Sequence, residues 1–197
     1  MRKPRIKQNG ATYHVTARIN RQELIFQYLE FKELFIVVMK EAKNKFSFCF
    51  RNFCIMGNHV HLDIEPLAGT DLSKLMQWTL SVFAKRYNIV FGYKGHVWYD
   101  RFKSRIIKTV RQYINTFFYI ANNPIRAGLV NHPYDFAYNG LTFHKNNKDP
   151  GLLDPVHDWM KPLIEEFLKK FTVEKYQKTR KSLSFHDKKP GRPRKKR

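Results

Sequence analysis

Residues 11–18, Ala-Thr-Tyr-His-Val-Thr-Ala-Arg, are dense in β-branched and aromatic types and predict a first strand. Apolar residues then recur at helical spacing among Glu and Lys over 24–44, which predicts a helix. Two further strands follow over 46–53 and 54–64. Met56-Gly57-Asn58 reads as a bulge or tight turn, because Gly and Asn tolerate backbone angles that other residues avoid. Thr70-Asp71 can cap a second helix running to about residue 90, with Leu72, Leu75, Met76, Thr79, Val82 and Phe83 on its buried side. Beyond Gly92 and Gly95, the aromatic and basic stretch 97–108 reads as a short strand or hairpin. Residues 110–121 predict another helix, ended by Asn122-Asn123-Pro124, since proline disfavours helical geometry in the residue before it. Residues 127–155 read as loop-rich, with Pro133, Asn139-Gly140 and Asp149-Pro150-Gly151 as punctuation. An amphipathic helix is expected over 159–176 and disorder after it.

The order strand, helix, strand, strand, helix, then a closing strand or helix, predicts an α+β fold. The topology that fits best is a ferredoxin-like antiparallel sheet with helices on one or both faces, then a C-terminal helix and a basic tail. The expected domains are 1–130, an extension 131–180 that carries the helix, and a tail 181–197. No internal repeat is visible.

Charge narrows the partner. Lys plus Arg total 37 against 16 for Asp plus Glu, a net +21, which is the electrostatic footprint of a protein that meets a polyanion. Nucleic acid is the first expectation. A membrane is not expected: there is no amphipathic basic helix with a continuous apolar face, no lipidation motif, and no apolar run near the roughly 18 residues of a spanning helix. The basic start precedes polar residues where a signal peptide needs apolar ones, so a cytoplasmic location is expected. Cys49 and Cys54 read as buried free thiols.

His59 and His61 carry the chemistry. On a strand they project to one side while Val60 points into a core, so both imidazoles can share one metal ion. Asp63 and Glu65 continue the alternation, which makes Asp63 a rival third ligand to Asn123. On a helix, Tyr119 and Asn123 are four apart and share a face, so a phenol and an amide oxygen can approach the same ion. Tyr113 is an alternative nucleophile. A divalent ion polarises a phosphoryl group, and a tyrosine nucleophile conserves the bond energy that water would lose. The combination reads as an active site for cutting DNA.

Several segments together resemble the REP-associated tyrosine transposases, which belong to the single-tyrosine HUH transposases of bacterial insertion sequences. They are Arg5-Ile6-Lys7-Gln8-Asn9-Gly10-Ala11-Thr12-Tyr13-His14-Val15-Thr16-Ala17-Arg18, Asn20-Arg21, Ile25-Phe26 and Met56-Gly57-Asn58-His59-Val60-His61-Leu62. Trp98-Tyr99-Asp100-Arg101-Phe102 and Tyr119-Ile120-Ala121-Asn122-Asn123-Pro124-Ile125-Arg126-Ala127-Gly128-Leu129-Val130 complete the set, and the last block is the most specific. The resemblance implies His59 and His61 as metal ligands, Tyr119 as nucleophile and Asn123 as third ligand. It also implies Mg or Mn dependence, a ferredoxin-like fold, a 5′-phosphotyrosine intermediate with a free 3′-OH, and imperfect-palindrome hairpins flanked by a short guide as substrate. In a bacterial cell such an enzyme would sit with the nucleoid. Two positions depart from the family: Gly57 stands where Pro is usual, and Ile19 replaces a Gly, which puts a substrate-contacting turn there in doubt.

DNA contacts are expected from Arg101, Lys103 and Arg105, interleaved with Trp98, Tyr99 and Phe102 for stacking on unpaired bases. Arg126 and, in the tail, Arg192 and Arg194 join them. The tail's Pro-Gly-Arg-Pro-Arg centre resembles an AT-hook, suited to the narrow minor groove of A·T-rich duplex. The other function class is a domesticated protein that binds hairpins without cutting; either could be a monomer or a homodimer. The intact set of His59, His61, Tyr119 and Asn123 favours the enzyme. An RNA-binding module of similar sheet topology lacks its aromatic strand motif here.

Overall fold

In this computed structural model the described residues are Gln8 and 10–170. Arg192, Arg194 and the rest of the basic tail lie outside them, as does the second half of 159–176 after residue 170.

β1 (Thr12–Arg18), β2 (Phe48–Ile55), β3 (His59–Pro66) and β4 (Lys103–Ile107) form one antiparallel sheet in the order β2-β3-β1-β4. α1 (Leu29–Lys45) lies between β1 and β2 in the chain, and α2 (Leu72–Phe91) between β3 and β4, which is the ferredoxin-like arrangement the sequence predicts. Alternation along the central strands sends Val15, Ala17, Val60 and Leu62 to one face, where they share a core with Phe35 and Met39 of α1 and Phe83 of α2. Asp71 caps α2 as expected, its side chain accepting from Ser73 N and Lys74 N.

The opposite face carries the polar residues of the same strands. α3 (Val110–Ala121) covers the β2–β3 half of it: Asn52 Nδ2 donates to Phe117 O at 2.9 Å, and Ile120 packs on Cys54 and Met56. The β1–β4 half is more open, with Arg18, Lys103 and Arg105 exposed.

Four boundaries differ from expectation for physical reasons. α1 starts at Leu29 rather than residue 24, because Ile25–Gln27 forms a tight 3-10 turn and Phe26 N donates to Gly57 O at 3.0 Å, tying this segment to the β2–β3 turn. β2 continues to Ile55, so Cys54 belongs to it rather than to β3, and Met56-Gly57-Asn58 is the turn of a tight hairpin closed by Met56 N to His59 O. Within 97–108 only Lys103–Ile107 is a strand. A short helix, α4 (Asn123–Arg126), precedes the stretch expected to be loop-rich, and α5 (Gly140–Asn146) lies inside it; the Asn139 side chain caps α5, and Asn147 ends it in the left-handed region at φ 46°. The last helix, α6, is described over Lys161–Lys170, after a 3-10 turn at Asp158–Met160. Both thiols are free, but only Cys54 is buried; Cys49 is half-buried.

Residues after α4 close over the outer edge of β2. Ile55 N donates to Tyr138 O at 3.1 Å, Asn139 bridges to Cys54, and the Asp154 carboxylate accepts from Phe50 N at 2.7 Å while pairing with Lys43 at 2.5 Å.

Candidate active site

His59 and His61 occupy alternate positions of β3, with Val60 buried in the core between them. Their ring centroids are 4.9 Å apart and their planes meet at 84°. Each Nδ1 is engaged: that of His59 with Asn58 Oδ1 at 2.7 Å, that of His61 with His14 Nε2 at 2.9 Å and Thr16 Oγ1 at 3.3 Å. Among the described residues neither Nε2 has a hydrogen-bond partner. An imidazole that binds metal divides its nitrogens this way, one to the ion and one to a hydrogen-bond partner that fixes the ring. Burial lowers the pKa of His59 to about 4, helped by Arg18, and that of His61 to about 2, helped by His14 and His59. Burial and then Arg105 lower His14 to about 4, so all three rings are neutral near pH 7, the form in which imidazole ligates.

Tyr119 lies in the last turn of α3, and its ring meets that of His61 edge-on, with centroids 5.5 Å apart and planes at 90°. It also meets the His14 ring, at 5.8 Å and 71°. The side chain is 39% exposed, and the Arg126 guanidinium stands 5.4 Å from its ring centroid. Asn123 is not on the same helix. Pro124 has no N–H to continue the ladder, so α3 ends at Ala121 and Asn123 opens α4. The two residues still touch: Asn123, 8% exposed, donates its Nδ2 to Tyr119 O at 2.8 Å, a bond that does not use its Oδ1.

The rivals fare differently. Tyr113 is 6% exposed, enclosed by Phe117, His157 and Trp159, and burial drives its pKa far up, so it is no nucleophile for a DNA strand. Asp63 is 2% exposed, and burial raises its carboxyl to about 7 against the pull of Tyr113 and Arg51. The Tyr113 hydroxyl is near Asp63 but outside hydrogen-bonding geometry, since neither it nor Asp63 Oδ1 has a partner among the described residues. Glu65 is taken by Arg51 in a 2.5 Å ion pair. Among the described residues no three His, Cys, Asp or Glu side chains are grouped to hold a metal, so Asp63 does not join the histidine pair.

Residues 7–123 match the family model described as IS200-like transposase. The chain belongs to the IS200-like transposases. A solved REP-associated tyrosine transposase bound to a REP hairpin shares its fold, at 20% identity over 79% of this chain and 92% of that one, with a TM-score of 0.62. A crystal structure of a proposed transposase from Deinococcus radiodurans aligns at 16% identity over 58% of this chain and 96% of that one, with a TM-score of 0.42. No curated protein matches the chain.

In this transposase Lys103 and Arg105 pair in register with Thr16 and His14, which puts both basic side chains on the face of the histidines. Arg101 is exposed in the bend before β4. Of the aromatics expected to stack on bases, Phe102 is in the core, and Trp98 packs against it while donating Nε1–H to Leu80 O at 2.9 Å; only Tyr99, 71% exposed, is open. Ile19 is buried, and its N–H donates to Asn58 O at 2.8 Å, so the turn that follows it is anchored at the start of β3. Four neighbours of the site escaped the sequence reading: His14, Thr16, Arg18 and Asn58. Three of them sit at alternate positions of β1 within the family-like segment, which was the available signal. Among the described residues no helix is long and apolar enough to cross a membrane.

Proposed function

We propose that this transposase cuts single-stranded DNA beside a hairpin, with Tyr119 as nucleophile and with His59, His61 and Asn123 holding Mg or Mn. The observation that carries the reading is the half-exposed Tyr119 ring set edge-on against His61. The donor set fits a divalent ion, because two neutral imidazoles on one sheet face engage only their Nδ1 atoms and the Asn123 amide, with its oxygen outside that bond, is tied to the backbone of Tyr119. When bound, the ion supplies a Lewis acid that draws charge from the phosphate oxygens.

The Tyr119 Oη attacks the scissile phosphorus and gives its proton to the water that reaches this exposed side chain. The bond from phosphorus to the 3′ oxygen breaks, that oxygen takes up a proton, and the 5′ phosphate stays on Tyr119. A later 3′-OH attacks the phosphotyrosine and restores the phenol, which is strand transfer. Arg126 beside the ring, with Arg18, Lys103 and Arg105 on the open half of the sheet face, offers the positive charge that holds the strand. The hairpin as substrate is supported by the relative solved with one. The tail, with Arg192 and Arg194, tethers flanking duplex and raises the effective concentration at the hairpin.

The test is a hairpin oligonucleotide labelled at its 3′ end, incubated with Mg or Mn and resolved under denaturing conditions. Label should travel with the wild-type protein and with Tyr113→Phe, and not with Tyr119→Phe. A pure binder, which transfers no label at any metal or protein concentration, would sink the reading.

A further inference from the structure

We propose that His14 is a positioning residue for the metal site: it accepts a hydrogen bond from His61 Nδ1–H and so leaves the lone pair of His61 on Nε2. The inference rests on the reading of His59 and His61 as metal ligands.

The two histidines of β3 do not have the same support. His59 is served by its chain neighbour, since Asn58 Oδ1 can only accept and therefore places the His59 proton on Nδ1. Asn58 is itself oriented, its Nδ2 donating to Gln22 O at 3.4 Å. His61 has no such neighbour. Its Nδ1 faces another imidazole, His14 Nε2, at 2.9 Å, and the two rings stack with centroids 5.1 Å apart and planes 23° from parallel.

A contact between two imidazoles permits two proton arrangements with opposite consequences. If His14 donates from Nε2, His61 carries its proton on the far nitrogen and has no lone pair there for an ion. If His61 donates from Nδ1, its Nε2 is bare and matches that of His59. Only the second makes the histidine pair a ligand pair. Thr16 Oγ1, at 3.3 Å from the same nitrogen, can accept as well but is the more distant partner. The His14 ring also lies against the Tyr119 ring, so one side chain of β1 touches both the ligand and the nucleophile.

Two readouts test this on the full chain. The first is the nitrogen NMR signature of His61 in the metal-free wild type, assigned through a His61→Gln spectrum. The proton should be on Nδ1, and a dominant Nε2–H form overturns the proposal. The second is Mn binding followed by electron paramagnetic resonance in wild type, His59→Ala, His14→Phe, His14→Gln and Thr16→Val. His14→Phe keeps a ring to stack but offers no acceptor, and should weaken Mn binding about 10- to 100-fold, the usual effect of losing such a partner. His14→Gln, whose Oε1 can accept from the same side, should recover most of it, and Thr16→Val should bind nearly as wild type. Equal affinity in wild type and His14→Phe overturns this inference alone. Equal affinity in wild type and His59→Ala overturns the metal reading and this inference with it.

Discussion

Tyr119 and His61 meet edge to face at 5.5 Å, yet Tyr119 comes from a helix laid across the sheet and His61 from the sheet itself. The phenol therefore gains its position from packing, while the residue stays partly open to solvent. Tyr119→Phe should leave the fold intact, within about 0.5 kcal/mol by thermal or urea unfolding, as for other exposed changes. It should bind the hairpin as wild type and form no adduct. A variant that loses both binding and adduct would mean that the hydroxyl holds DNA rather than attacks it.

Acidification should destabilise the metal-free protein. The folded pKa values of His14 and His59, about 4, and of His61, about 2, lie below the ordinary 6.5, so the unfolded chain takes up protons first as pH falls. Stability is then full above about pH 6.5 and declines as pH falls through the window toward 4. Asp63 works the other way: its carboxyl, raised from 3.8 to about 7, burdens the fold at neutral pH, and acid relieves that burden. Three imidazoles outweigh one carboxyl. Urea midpoints measured in chelator should fall between pH 7 and 5, and should fall less steeply in His61→Gln.

Removing the basic side chains of β4 should alter DNA binding in a salt-dependent way. If Lys103 and Arg105 each meet a phosphate, replacing either by Gln weakens hairpin binding at low salt and reduces the slope of log affinity against log salt by about one. A weakened complex with an unchanged slope would assign the effect to structure rather than to charge.

A buried amide helps tie the helix that carries Tyr119 to β2. Asn52 is fully buried and donates Nδ2 to Phe117 O, so Asn52→Leu removes that bond while the carbonyl keeps its place in the helical ladder. The cost should be about 0.5–1.5 kcal/mol in urea unfolding. Adduct formation should drop further than hairpin affinity if α3 positions the proposed nucleophile and the open half of the sheet face holds the strand.

Deleting 188–197, a segment with seven basic residues in ten, should weaken hairpin binding and spare cleavage at saturating protein. Unchanged affinity after that deletion would reject the tether.

The ferredoxin-like order was readable because strands and helices differ in hydrophobic period, and those periods held from β1 to β4. That His59 and His61 share a strand face was readable from their spacing, and the structure brings the Tyr119 ring to that pair. His14 was not singled out although it lies in the quoted segment: nothing within β1 says which strand will lie beside it, and only the sheet order brings it to His61. The end of the helix at Ala121 was readable from Pro124, but putting Tyr119 and Asn123 on one helix face ignored that same break, and Asn123 opens α4 instead. Asn139-Gly140 has turn composition, yet it opens α5. A Cβ on Gly140 would fall 2.3 Å from Asn52 Oδ1 and 2.8 Å from Phe53 N, so this glycine answers to a strand far away in sequence.

The closure of 138–154 over β2 bears on how far the chain can be trimmed. The family match spans 7–123, and a fragment trimmed to it would strip away Tyr138, Asn139 and Asp154. Amide and carbonyl groups along the rim of the sheet would then face water unpaired, a template on which another molecule's strand can settle. Minimal versions of this transposase should therefore clump, and the segment past the family match serves as the sheet's selvedge.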